Sequence, residues 1–133
     1  MTFQDSAEVR KYLGGIFETA FADPEIGPKL RDTGIVLKTV YSDPATVLVI
    51  DAVKGEVYEG DEATEASAEM AMAADTGNGY WQGKVNLPLA MAKGKIKVSG
   101  NVASLLKLAP LGKKLDPRYV DTLKADGRED LLV

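Results

Sequence analysis

The 133-residue chain contains no cysteine and no histidine. Without cysteine it has no disulfide framework and no thiol nucleophile, and its composition is compatible with a reducing compartment. Without histidine it lacks histidine-dependent nucleophilic triads, histidine general acid/base catalysis and the usual Cys/His zinc sites. These absences argue against most enzyme classes, and we expect a protein that is not an enzyme and holds no metal or cofactor.

Long apolar runs are also missing. No run approaches the ~18 apolar residues of a membrane span, and the first residues lack the apolar centre of a signal peptide. We therefore expect a soluble, cytoplasmic protein. At 133 residues the chain is most simply one domain over 1–133, large enough to bury roughly two thirds of the surface of its unfolded form.

The formal net charge of −4 hides an asymmetry along the chain. Residues 1–83 carry 6 basic and 15 acidic side chains, whereas residues 84–133 carry 10 and 5. The basic half could form a positive face for an anionic headgroup, a phosphate or a membrane surface. Scattered, solvated lysines are the alternative. We expect no nucleic acid partner, because the chain is acidic overall and has no basic stripe interleaved with aromatic residues.

Helical periodicity opens the chain, and strand patterns follow it. Residues 6–22 repeat apolar side chains at helical spacing behind a capping box of Asp5 and Glu8, and the glycines at 14 and 15 indicate a close neighbour. Asp23 and Pro24 can start a second, short helix. Strand patterns then fall at 35–41, 46–52, 56–60 and 64–72.

The stretch 81–108 combines three elements. Asn86 can cap a short helix that ends at Gly94, residues 95–99 alternate as a half-buried strand, and Asn101 can cap a helix that is apolar over most of its circumference. Such a helix needs cover from protein core or from an apolar ligand. Residues 110–115 are predicted to be a connector, followed by a last helix from residue 116 to Gly127.

This order of elements predicts the fold class. Helices, four antiparallel strands, helical material, a fifth strand and further helices make an α+β fold whose five-stranded, mainly antiparallel sheet is covered on one face by helices. The inward face of the fourth strand carries Ala66, Ala68, Met70 and Met72. Small and flexible side chains suit a cavity lining, but also the close packing of helices on the sheet.

Three motifs in the second half resemble those of the sterol carrier protein 2 (SCP2) family. GKVN at 83–86 matches the family's G-K-x-N, GKIKVSGN at 94–101 matches G-K-[IL]-K-[IV]-x-G-[ND], and LLKL at 105–108 begins the leucine-rich helix. The resemblance runs nearly end to end. The flanking YW at 80–81 and PLGKKLDPRY at 110–119 are similar to bacterial stand-alone members.

The resemblance implies an apolar tunnel between sheet and helices, and a ligand such as a sterol or steroid, a fatty acid, a fatty acyl-CoA or a phospholipid. The end of the chain, LLV at 131–133, does not match the peroxisomal address of many eukaryotic members, so a peroxisome is not indicated. Trp81 is expected near the tunnel mouth. The group of residues expected to bound the tunnel is Phe17, Phe21, Met70, Met72, Trp81, Leu89, Met91, Val98, Leu105, Leu106 and Leu108.

Three further hypotheses concern function. Residues 111–133 would open as a loosely anchored lid when the basic face meets an anionic membrane, so that the ligand can be transferred. The alternative is an accessory module with a filled cavity, which docks on a second copy or on an enzyme of lipid or steroid metabolism through Tyr119, Leu123, Leu131, Leu132 and Val133. An enzyme with Glu65 and Glu69 as catalytic groups ranks third, since both are expected to face solvent.

Overall fold

A computed structural model describes residues 3–133 of the chain. The strands are β1 (Val36–Ser42), β2 (Thr46–Asp51), β3 (Glu56–Glu59), β4 (Ala68–Ala73) and β5 (Ile96–Gly100). The helices are α1 (Ser6–Val9), α2 (Gly15–Ala22), α3 (Ile26–Asp32), α4 (Ala74–Tyr80), α5 (Leu87–Ala92) and α6 (Val102–Ala125). A π-helical turn, Arg10–Gly14, joins α1 to α2, and a 3-10 turn, Glu129–Leu131, follows α6.

The strands form one sheet in the order β3-β2-β1-β4-β5. Neighbours are antiparallel except β1 and β4, which are parallel. The prediction of four antiparallel strands is therefore wrong for this pair. After β3 the chain crosses the sheet through residues 60–67 and enters β4 in the direction of β1. Residues 64–67 belong to this crossover, which the pattern within a single strand cannot reveal.

Alternation along the strands places one face of the sheet against the helices. Leu37 of β1 lies opposite Ile50 of β2 and Ala68 of β4, and Thr39, two residues further on, lies opposite Leu48. All five side chains are buried. This arrangement confirms the predicted α+β fold, with a five-stranded, mainly antiparallel sheet covered on one face.

The opposite face of the sheet is partly covered by the crossover. Lys38 of β1 is only 7% exposed. Its Nζ atom lies 2.9 Å from Glu69 Oε1 on β4 and donates a hydrogen bond of 2.8 Å to the backbone carbonyl of Glu62 in the crossover. Glu69, one of the two carboxylates considered for catalysis, is thus the partner of a buried lysine.

The first helical segment begins at the predicted cap. The backbone N–H of Glu8 donates to Asp5 Oδ1 at 3.0 Å, and the Glu8 carboxylate accepts the backbone N–H of Gln4 at 2.9 Å. A Cβ atom on Gly14 would meet Leu48 and Val57 of the sheet at 3.6 and 3.5 Å. Those two distances are ordinary van der Waals contacts, and the one close approach, 2.8 Å, is to Arg10 Nη1, so the Arg10 side chain occupies the space beside Gly14.

The long helix α6 corrects the predicted connector at 110–115. It runs unbroken for 24 residues, although Pro110 and Pro117 lie inside it. Each proline removes one N–H donor, at a cost of about 3 kcal/mol. The helix continues because buried side chains flank both prolines and anchor it to the core: Leu105, Leu115, Tyr119 and Leu123.

The C-terminal segment is part of the core. Tyr119 is 2% exposed, and Leu123 and Leu131 are completely buried. The expectation of a loosely anchored lid over residues 111–133 is therefore wrong. The proposed docking surface loses the same three residues, because they pack inside their own chain, while Leu132 is half-buried and Val133 is exposed.

Candidate functional site

An apolar cavity of about 50 Å³ lies between the covered face of the sheet and the helices. Side chains from α2, α3, α5, α6, β1 and β4 and from the end of α4 converge on it. The lining residues are Phe17, Ala20, Ile26, Leu30, Leu37, Met70, Tyr80, Trp81, Leu87, Leu105, Leu108, Leu111, Gly112 and Leu115.

The regular spacing of α6 builds one wall of the cavity. Leu105, Leu108, Gly112 and Leu115 follow one another at i, i+3, i+7 and i+10, which places them on one face of the helix. Met70 of β4 forms part of the opposite wall. The helix therefore presents a continuous apolar stripe to the sheet across the cavity.

The short helix α5 contributes Leu87 to the cavity because its start is fixed by a cap. The Asn86 side chain accepts a hydrogen bond of 3.0 Å from the backbone N–H of Leu89, which satisfies a donor that has no partner within the helix. Leu87 is the first residue of the helix and is 6% exposed. The predicted cap is confirmed.

Three aromatic rings form another part of the lining. The Trp81 ring meets the Phe17 ring edge-on, with 5.2 Å between centroids and 88° between planes, and meets the Tyr80 ring at 5.3 Å and 81°. Such edge-to-face pairs stabilise an aromatic cluster beyond simple burial. Trp81 is buried within the wall itself, and a change in the cavity contents would alter its surroundings.

The lining of the cavity carries few titratable side chains. Among the described residues of its lining, only Tyr80 has a titratable side chain. Burial, together with the nearby Asp116 carboxylate, raises the pKa of the Tyr80 hydroxyl, so Tyr80 is neutral at physiological pH. The surrounding surface is aliphatic and aromatic, which suits an uncharged hydrocarbon.

Five of the eleven residues predicted from the sequence line this cavity: Phe17, Met70, Trp81, Leu105 and Leu108. Four others lie in the fold but outside the lining. Phe21 is buried against the Arg31 guanidinium, 5.6 Å from the ring centroid. Met72 is buried near Gly77 on α4. Met91 and Val98 are half-buried against the core.

Leu89 and Leu106 are in the wrong place for a cavity lining. They are 52% and 47% exposed, respectively. Leu106 follows Leu105 by one residue, and one residue along a helix turns the side chain by about 100°. Exposed lysines, Lys93 and Lys107, stand close to them in the sequence. Each of the two leucines is therefore an exposed apolar side chain within four residues of an exposed lysine in the sequence.

Sequence reasoning missed nine lining residues: Ala20, Ile26, Leu30, Leu37, Tyr80, Leu87, Leu111, Gly112 and Leu115. Ala20 and Leu115 could have been predicted from the sequence. Ala20 lies on the same helical face as Phe17, and Leu115 lies on the same helical face as Leu108. The contribution of α3, from Ile26 and Leu30, depends on how that helix packs over the sheet. No local pattern carries that information.

The sequence and the fold were compared with known families and proteins. The family described as "SCP-2 sterol transfer family" matches residues 16–113 of the chain. A search of curated proteins found no match. In the described part of the chain, no helix has the length and apolar character needed to cross a membrane.

Solved structures share the fold. The sterol carrier protein domain 2 of Helicoverpa armigera aligns with a TM-score of 0.68 at 22% identity, over 83% of this chain and 89% of that one. Sterol carrier protein 2 of Yarrowia lipolytica, in its apo form, aligns with a TM-score of 0.58 at 17% sequence identity, over 80% of this chain and 94% of that one. Sterol carrier protein 2 of Aedes aegypti, in complex with palmitate, aligns with a TM-score of 0.59 at 24% sequence identity, over 84% of this chain and 96% of that one.

Proposed function

The chain belongs to the SCP-2 sterol transfer family, and from this premise we propose that it binds the apolar part of a lipid without covalent chemistry and transfers it between partners. The observation that carries the proposal is the apolar cavity, whose lining comes from seven separate elements of the fold. Palmitate in the Aedes aegypti relative supports a fatty acyl chain as one ligand class. The proposal also includes a sterol, an acyl-CoA or a phospholipid as the ligand.

The size of the cavity requires the lining to move on binding. Its volume of about 50 Å³ lies well below the ~300–1,000 Å³ of typical ligand pockets. The movement is expected in helical side chains such as Leu87 and Leu108, because the two strand residues of the lining, Leu37 and Met70, lie on strands that are paired on both sides. Each methylene moved from water into the enlarged cavity contributes about 0.8 kcal/mol.

Transfer requires contact with a donor or acceptor surface. The exposed Leu89 and Leu106, with lysines near them in the sequence, suit an anionic membrane: the leucines enter the interface and the lysines meet lipid headgroups. This contact replaces the lid of the C-terminal segment as the proposed route of exchange. No catalytic residue takes part, and the proposed activity is not enzymatic.

A first test is native mass spectrometry of the purified protein, compared with the denatured protein, followed by titration of hexadecanoic acid and cholesterol against Trp81 fluorescence. Trp81 is the only tryptophan. A lipid mass carried only in the native spectrum, or a saturable fluorescence change, supports the proposal. If neither ligand changes the emission and no adduct is present, a fatty acid and a sterol are ruled out as ligands.

A matched pair of variants on α6 separates binding from transfer. Leu108→Glu places a charge in the cavity wall and should abolish ligand binding. Leu106→Glu places the same charge on the exposed side, so it should retain binding but slow transfer to anionic vesicles. Loss of binding in both variants, or in neither, would contradict the assigned positions.

The small volume of the cavity favours a second candidate function, an accessory module whose cavity stays filled by its own side chains. The partner would be an enzyme of lipid metabolism, docked on the exposed Leu89 and Leu106. A stable complex that forms equally with delipidated and lipid-loaded protein supports this candidate, and a complex that depends on lipid contradicts it.

A further inference from the structure

A second groove of about 760 Å³, with both apolar and charged side chains in its lining, adjoins the apolar cavity. Tyr80, Leu87 and Gly112 line both spaces, so they form the wall between them. On the outer side the groove is lined by Lys84 and Lys113. The fold therefore places two lysines, Lys84 and Lys113, on the groove that adjoins the apolar cavity.

The wall between the two spaces is thin at Gly112. A Cβ atom at this position would lie 3.3 Å from Tyr80 Oη and 3.7 Å from Trp81 Cζ3. Because α6 carries no side chain there, the Tyr80 ring fills the gap against the helix. The Tyr80 ring and the backbone of Gly112 therefore separate the groove from the cavity, and a chain that runs from one space to the other must displace that ring.

The charges of the groove are unevenly matched. Lys114, the next residue along α6, is paired with Glu25 at 2.7 Å. In the described part of the chain no carboxylate lies within ion-pair distance of Lys84 or Lys113. Asp116 is the one acidic residue among the described residues of the groove. Two positive charges and one negative charge leave the groove with an excess of positive charge.

We infer that this groove holds the anionic headgroup of an amphiphile, a carboxylate or a phosphate, whose hydrocarbon chain passes Tyr80 into the apolar cavity. The inference rests on the proposed function and narrows it to anionic single-chain lipids. Lys84 and Lys113 attract the headgroup, and Asp116 opposes it. Uncharged lipids gain nothing from the groove.

Asp116 provides a second test of the same site, because its removal should change the affinity for an anionic ligand in the opposite direction to removal of a lysine. Burial raises the pKa of its carboxyl, and Lys113 opposes this effect. An ionised Asp116 repels a headgroup of like charge, so its removal has the opposite effect to removal of a lysine. A merely structural role for these side chains does not produce opposite signs that depend on the charge of the ligand.

The experiment compares three ligands with the same chain: hexadecanoic acid, hexadecyl phosphate and hexadecanol. Binding to the full chain is followed by Trp81 fluorescence for Lys84→Gln/Lys113→Gln and for Asp116→Asn. The double lysine variant should raise the Kd of both anions about tenfold, and Asp116→Asn should lower it about threefold. The Kd of hexadecanol should change less than twofold. A larger effect on the phosphate than on the carboxylate would identify a phosphate as the preferred headgroup.

The control is Lys97→Gln/Lys124→Gln, which removes two exposed charges that do not line the groove. It should leave all three Kd values within twofold. If the three ligands bind but the groove variants and the control are indistinguishable, the headgroup assignment is wrong and the proposed function stands. If none of the three ligands binds the unmodified protein, the headgroup assignment is wrong. The proposed function then stands if cholesterol binds in the same assay, and it fails if cholesterol does not bind either.

Discussion

The Tyr119 hydroxyl donates a hydrogen bond of 2.7 Å to Asn78 Oδ1, across 41 residues of sequence, and thereby joins α6 to α4. Both residues are buried. Asn78 Nδ2 donates to the backbone carbonyl of Leu131 at 2.8 Å, and Gln82 Nε2 donates to the same carbonyl at 2.9 Å. One buried amide thus fastens α6 and the C-terminal tail to the helix that leads into Trp81.

Replacement of this amide should destabilise the whole fold. In Asn78→Ala the buried Tyr119 hydroxyl loses its acceptor, and Leu131 keeps only the hydrogen bond from Gln82. A buried polar group left without a partner costs about 1–3 kcal/mol. We expect the free energy of unfolding, measured by urea denaturation, to fall by about that amount.

Tyr119→Phe is the matched control for this prediction. It removes the donor, while Asn78 Oδ1 keeps the hydrogen bond of 3.0 Å from Gln82. The loss should be about 0.5–1.5 kcal/mol, the net value of one hydrogen bond. A larger loss in Tyr119→Phe than in Asn78→Ala would show that the amide is not the centre of this network.

The C-terminal tail provides a second prediction. Leu131 is completely buried, whereas Val133 is 67% exposed. Leu131→Ala should cost about 2–5 kcal/mol of unfolding free energy, the usual range for a buried leucine. Val133→Ala should change it by less than about 0.5 kcal/mol. If thermal and urea unfolding show equally small effects for Leu131→Ala and Val133→Ala, the tail is loosely anchored after all.

Local patterns predicted the elements whose contacts lie close in sequence. The caps at Asp5 and Asn86 were predictable because each bonds a backbone N–H three residues on. The alternation of Met70 and Met72 was predictable from the period of a strand. These signals need no knowledge of the rest of the chain.

The errors all involve contacts distant in sequence. The parallel pairing of β4 with β1 depends on the crossover from β3. The continuity of α6 through Pro110 depends on burial of side chains such as Leu115 against the core. Leu106 was assigned to the cavity because an apolar helix does not reveal which of its leucines faces inward. Local patterns describe periodicity, and packing decides orientation.

A third prediction concerns acid stability. Asp23 Oδ1 accepts the backbone N–H groups of Ile26 and Glu25, each at 2.8 Å, and the carboxylate also pairs with Arg118. These hydrogen bonds hold the pKa of Asp23 below its ordinary value. The folded-state pKa is thus lower than the unfolded one, so this stabilisation is complete above about pH 4 and is lost as the pH falls through the lowered pKa.

Asp23→Asn tests this linkage, because asparagine keeps the capping oxygen and loses the charge. The variant should be less stable than the parent at pH 7, and the difference should shrink as the pH falls below about 4. Urea denaturation between pH 7 and 2 measures both curves. Glu8 and Asp130, whose pKa values are lowered beside Arg128, contribute equally to both proteins. Curves that stay parallel would rule out the contribution from Asp23.

A fourth prediction is that alanine has opposite effects on stability at the two adjacent glycines, Gly14 and Gly15. A Cβ atom on Gly15 would meet nothing within 4 Å, and its φ of −60° is helical. Gly15→Ala should therefore raise the unfolding free energy by about 0.5–1 kcal/mol. At Gly14 the same atom would lie 2.8 Å from Arg10 Nη1. Gly14→Ala should therefore displace the Arg10 guanidinium from its hydrogen bonds to Glu18 and to the Val57 carbonyl and destabilise the protein. The same sign for both in urea denaturation would contradict the packing described for Gly14.

Gly112 links stability to ligand entry. The methyl groups of Gly112→Val must displace Tyr80 or enter the cavity, because a Cβ atom alone would already lie 3.3 Å from Tyr80 Oη. We expect the affinity for hexadecanoic acid to fall about tenfold, the equivalent of roughly 1.4 kcal/mol, and the Trp81 emission to shift. Gly15→Ala, on another helix, should leave both unchanged. Full affinity together with unchanged emission in Gly112→Val would mean that the ligand chain does not pass the wall that Tyr80 and Gly112 share.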